Sequence, residues 1–163
     1  MEEKKVPEEG NPKAEAKVRP RLFTASDELI DVVVTGFYDR DTGQFEFCVP
    51  DEPKEGAEAF LTERHVFRFS RVPYNRLNVY RQQSMKYNTA ERASNVDLLK
   101  LREYFWMFHL REWNLEDEHG ERVPLVVDPD GTLSSESLRK LYELPASLLD
   151  TVIALFERRI SLA

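Results

Sequence analysis

The period of apolar positions changes along the chain, from two in the first half to helical spacing in the second. Leu29 to Tyr38 carries Leu29, Ile30, Val32, Val33, Val34 and Phe37, residue types that suit a pleated, half-buried surface. Asp39-Arg40-Asp41-Thr42-Gly43 follows, with Asp and Gly where a hairpin turn needs them. Gln44 to Val49 then alternates, with Phe45, Phe47 and Val49 on one face. The pattern predicts a β-hairpin, ended by Pro50 and Pro53 and followed by an acidic loop, Asp51 to Glu58. His65 to Val72 alternates again, with Phe67 and Phe69 opposite Arg68 and Ser70, and predicts a third strand stopped by Pro73.

Helical spacing takes over from Tyr74. Tyr74 to Met85 predicts a helix, with Tyr87 to Ala93 either continuing it or forming a turn. Ser94 to Trp113 is the strongest helical pattern. Ser94 stands three residues before Asp97, as at a capped start, and Leu98, Leu101, Phe105 and Phe108 form one stripe beside a second of Leu99, Trp106, Leu110 and Trp113. A helix apolar over most of its circumference is central to its domain or packs on a partner. Two polar turns, 116–120 and 128–131, flank a short apolar piece, Val123 to Val127. Ser135 to Leu144 predicts a short helix. Pro145 suits the first turn of a last one carrying Leu148, Leu149, Val152, Leu155, Phe156 and Ile160. The expected fold is α+β: a small antiparallel sheet of about three strands, then about four helices.

Composition adds domain limits. The chain has 163 residues, 41% apolar and 33% charged, enough for one domain. Residues 1–20 balance five acids against five bases around three prolines, and are expected to be a disordered charged arm. Residues 21–163 are expected to form a single α+β domain, a hairpin module at 27–72 and a helical part at 74–163. No apolar run approaches the length of a membrane span, so no membrane association is expected, and the first 20 residues lack the apolar stretch of a secretory signal. The single cysteine, Cys48, excludes an intramolecular disulfide. The net charge is -7, but residues 61–111 hold ten bases against four acids between two acidic flanks. That basic middle either neutralises its flanks in the fold or presents a face to an acidic partner.

Candidate chemistry is sparse. Taking Gly131 as the sixth position of a calcium loop puts Val126 first and Ser137 twelfth, and taking Gly43 puts Tyr38 first; neither supplies the required oxygen ligands. His65, His109 and His119 form no paired metal motif, although His109 and Glu112 are three apart. No cofactor or metal is expected. Phosphate-binding glycine loops and nucleophile-elbow motifs are missing from the sequence, so no catalytic residue is assigned. Arg71, Tyr74, Arg76, Tyr80, Arg81, Lys86 and Tyr87 interleave cations with aromatics, a mixture able to hold phosphates and stack bases. The overall acidity opposes indiscriminate nucleic-acid binding.

Four pieces of the second half occur in a suggestive order: FRFSRVPY (67–74), LREYFWMFHLREWNL (101–115), EDEHGERVPLVV (116–127) and LYELPASLLDTVIALFERRI (141–160). Together, from Phe67 to Leu162, they resemble the tail assembly chaperones of long-tailed bacteriophages. The hairpin at 29–49 and the charged arm lie outside that pattern. The resemblance implies a helical, non-enzymatic protein of the host cytoplasm. It would bind tape measure and tail tube proteins during tail morphogenesis and be missing from the finished particle. Members are often made in a short and a frameshift-extended form, and self-association is compatible with the role. The resemblance supplies no residue-level site. By residue chemistry, Trp106, Trp113 and Phe156 are candidate partner-binding anchors if a patch stays exposed, or core residues if not. Two other readings remain: a structural virion component of the tail or head-to-tail connector, and a nucleic-acid or regulatory binding protein resting on the Arg/Tyr stretch.

Overall fold

A computed structural model describes residues 28–49 and 55–162. The charged arm at 1–20 and part of the acidic loop lie outside these residues. The order is β1 (Leu29–Tyr38), β2 (Phe45–Cys48), a 3-10 turn (Ala57–Ala59), β3 (Leu61–Ser70), α1 (Tyr74–Gln83), β4 (Met85–Asn88), β5 (Ala93–Val96), α2 (Leu98–His109), β6 (Leu110–Trp113), α3 (Ser135–Tyr142) and α4 (Ala146–Leu162). Among the described residues the fold is α+β, with a four-stranded antiparallel sheet of order β2-β1-β3-β6 and four α-helices. No helix among the described residues is long and apolar enough to cross a membrane.

The period-two pattern produces the strands it predicts. β1 and β3 pair along ten residues, from Leu29↔Ser70 to Tyr38↔Leu61. The register sets Val32 against Phe67 and Val34 against His65, and all four are buried. The other face carries Arg68, which bonds Asp31 at 3.1 Å and Glu112 at 2.9 Å. Helix α4 packs on β1 and β2, and its Phe156 stacks on Phe69 of β3 at 4.3 Å between ring centres. Trp106 of α2 meets Phe69 at 5.4 Å and Phe67 at 6.2 Å. Sheet and helices therefore share one core.

Several expectations for residues 74–113 need correction. The predicted helix 94–113 is really β5, α2 and β6 in sequence. Leu110 adopts extended backbone (φ -66°, ψ 128°), and β6 completes the sheet as a fourth strand. Leu110 pairs with Phe69 and Glu112 with Arg68, leaving Arg111 as an extra residue at a bulge. The bulge turns both Leu110 and Trp113 into the core. A spacing of three, read as helical, is thus reproduced by a bulged strand. At the other end Ser94 pairs with Tyr87 in the β4–β5 hairpin, and Asp97 is the cap. Its carboxylate accepts from Leu99 N at 3.1 Å and Lys100 N at 3.4 Å. Met85 starts β4 instead of ending α1. The turn is made by Asn88, whose Oδ1 accepts from Ala90 N at 3.0 Å, and by Arg92 at φ 50°. Leu98 and Leu99, expected in the packed stripes, are 58% and 73% exposed.

Candidate protein-binding cleft

The β1–β2 turn and the α3–α4 junction leave a cleft of about 410 Å³ between them, within the size range of ligand sites. One wall comes from the strands. Tyr38, Phe45 and Phe47 form a ring cluster with centres 5.7–6.4 Å apart, and Phe45 is about half exposed. Leu144, Pro145 and Leu148 from the α3–α4 junction, with Trp113 and Leu115, complete the apolar lining. Pro145 places its carbonyl to accept from Leu148 N at 3.0 Å and Leu149 N at 3.2 Å, so the chain enters α4 directly behind the cleft. Trp113 Nε1 donates to Val123 O at 2.7 Å, which pins the 123–127 piece beside the sheet.

Polar groups punctuate this surface. Tyr38 OH and His65 Nε2 are 2.9 Å apart. Burial, the charge of Glu63 and a hydrogen bond to Glu63 push the Tyr38 phenol up to about 12. Burial pushes the His65 imidazole down, against the opposing pull of Glu63. Glu63, Glu116 and Glu143 line the cleft with one cation, Lys140, which bonds Glu136 at 3.1 Å. The cleft is apolar with an acidic rim.

Gly36 allows the polar pair to form. A Cβ there would meet His65 Nε2 at 3.1 Å, Tyr38 OH at 3.1 Å and Phe47 Cε1 at 3.2 Å, a crowding that backbone and rings must absorb. Gly36→Ala is therefore expected to destabilise the fold by about 1–3 kcal/mol. It should also return the Tyr38 phenol toward its ordinary value. Denaturant unfolding and alkaline absorbance titration check both outcomes.

The three anchors expected from residue chemistry have different fates. Trp106 is 5% exposed, Trp113 9% and Phe156 0%. Trp113 lines the cleft, whereas Trp106 and Phe156 fill the interior between sheet and helices. The sequence pattern does not single out Tyr38, Phe45 and Phe47 as a site. Their signal is present only as three aromatics around the turn of a short edge hairpin. The Arg/Tyr stretch is divided by the fold. Tyr80 is buried against Tyr104 and Phe108, with ring centres 5.1 and 5.9 Å away, while Tyr74 and Tyr87 are exposed.

The arrangement nearest to a nucleophile and base is a buried chain. Ser70 Oγ lies 3.0 Å from His109 Nδ1, and Tyr80 OH lies 3.0 Å from His109 Nε2. Burial, with the Arg111 charge, pushes His109 down to about 4, which keeps the ring neutral and makes it a weak base at neutral pH. Both ring nitrogens are engaged by hydroxyls instead of an orienting carboxylate. His109 and Glu112 do not converge: the imidazole is buried, and Glu112 bonds Arg68 on the open face of the sheet. Among the described residues no group of three or more His, Cys, Asp and Glu side chains is placed to hold a metal ion. Comparison with protein-family models, curated proteins and solved structures returns no match.

Proposed function

We propose that this chain is a non-enzymatic binding protein of the phage tail assembly chaperone kind, acting in the host cytoplasm. In this reading it holds apolar segments of tape measure and tail tube proteins during tail assembly. The observation that carries the binding role is the open aromatic cleft with its acidic rim. A half-exposed Phe45, lining the same cleft as Leu144 and Pro145, offers apolar surface that a client side chain can cover. The resemblance over 67–162 supplies the class of client.

A tagged copy recovered from producing cells, with and without nuclease, and compared with purified particles, tests the proposal. Tape measure and tail tube proteins should be recovered whether or not nuclease is added, and the bait should be missing from particles. Phe45→Glu, a partly exposed position, should keep the fold and weaken client recovery by about tenfold or more. Bait present stoichiometrically in particles would replace the chaperone reading by a structural one. Recovery that collapses with nuclease would replace it by a nucleic-acid one.

A further inference from the structure

We propose that the β4–β5 hairpin and the first turn of α2 form a second docking surface, for an acidic, apolar segment of a protein partner. All four residues of β4 are exposed. Met85 and Tyr87 alternate along it opposite Val96 and Ser94, so the two large side chains share one face of the ribbon. Leu98 and Leu99 extend the apolar surface onto α2, and the surface encloses a shallow hollow of about 620 Å³. An isolated two-stranded hairpin is marginal. This one is tethered by Asp97 N donating to Ser84 O at 2.7 Å and by the ion pair of Lys86 with Asp97.

Charge selects the occupant. Residues 74–102 hold six bases and two acids. Lys86 pairs with Asp97, and Arg102 with Glu157. Arg76, Arg81, Arg92 and Lys100 have no ion-pair partner among the described residues. Three of these cations lie on the elements that make or adjoin this surface, Arg81 in the last turn of α1, Arg92 in the β4–β5 turn and Lys100 at the start of α2, and with exposed Met85, Leu98 and Leu99 they complement a chain that carries carboxylates and aliphatic side chains together. Nucleic acid matches the cations but leaves the leucines uncovered.

Fluorescence anisotropy of the full chain tests this with three labelled probes. These are a synthetic peptide of Glu and Leu at helical spacing, the same peptide with Lys for Glu, and single-stranded oligothymidine. The Glu/Leu peptide should bind saturably and more weakly as salt rises. Leu98→Ser with Leu99→Ser, both at exposed positions, should leave the circular dichroism unchanged and lower affinity by about tenfold or more. Arg81→Glu with Lys100→Glu should do the same. Absence of saturable binding, or equal binding of the Lys/Leu peptide, overturns the proposal. Oligothymidine binding that survives the leucine substitutions makes the surface a nucleic-acid site and also overturns it. Glu/Leu binding that is lost in Phe45→Glu places the peptide in the cleft and overturns it as well.

Discussion

Phe156→Ala is expected to lower the unfolding free energy by about 3–5 kcal/mol, the range for a large aromatic removed from a packed interior. Phe156 is fully buried. It stacks on Phe69 at 4.3 Å with planes 19° apart, and meets Phe105 edge-on at 5.6 Å. It therefore joins α4 to both β3 and α2. Truncation empties the point where three elements meet, and the paired strand β3 limits how far the site can collapse. The loss is a large share of the roughly 5–15 kcal/mol that holds a domain folded. Equilibrium unfolding in urea, followed by circular dichroism, measures it. Phe156→Leu, which keeps much of the volume, should recover over half of the loss. If Phe156→Ala keeps the wild-type midpoint and loses only client binding, the residue is an anchor on a surface and the packing described here is wrong.

Acid should weaken the fold well above the pH at which carboxylates titrate. Burial first, and the neighbouring Arg111 charge second, push His109 from 6.5 to about 4, against hydrogen bonds to the Ser70 and Arg71 backbone that pull the other way; Arg76 adds a smaller push downward. The folded state thus prefers the neutral ring. The stability gained from keeping His109 neutral is fully present above about pH 6.5 and is lost as pH falls through that value toward 4. The shift corresponds to about 3 kcal/mol over that window. His65 is displaced in the same direction by burial and adds to the loss. Urea midpoints should fall steadily between about pH 7 and 4.5. His109→Gln keeps a donor and an acceptor but does not titrate. Its stability should be lower at neutral pH, and its decline toward acid should be shallower. Parallel pH profiles for wild type and His109→Gln would remove His109 as the cause.

The sheet is legible in the sequence where one periodicity acts alone. In β2 and β3 the alternation of apolar side chains, and in β1 the β-branched and aromatic composition, coincide with turn and proline signals, and the strands follow directly. The fourth strand is hidden because a bulge at Arg111 lets Leu110 and Trp113 face inward three residues apart, the spacing a helix also produces. The β4–β5 hairpin is hidden for the opposite reason. Met85, Tyr87, Leu98 and Leu99 are apolar but exposed, so counting them as core extends the α1 and α2 patterns across it. The candidate site is obscured in the same way. Large aromatics on a helix look like the best anchors, yet Trp106 and Phe156 are where the core is made. The cleft draws on Tyr38, Glu63, Trp113, Lys140 and Leu148, residues that approach one another only after β1 pairs with β3 and α4 folds back over the sheet. No local pattern records that convergence.

In the proposed function the client meets the cleft between the β1–β2 turn and the α3–α4 junction. The most direct measurement titrates tape measure protein fragments into the isotope-labelled chain and follows its amide and methyl resonances. Saturable shifts concentrated at Tyr38, Phe45, Phe47, Leu144 and Leu148, with Phe156 and Trp106 still protected from exchange, are the expected result. Shifts absent from these residues, or binding that opens the core around Trp106 and Phe156, would contradict it.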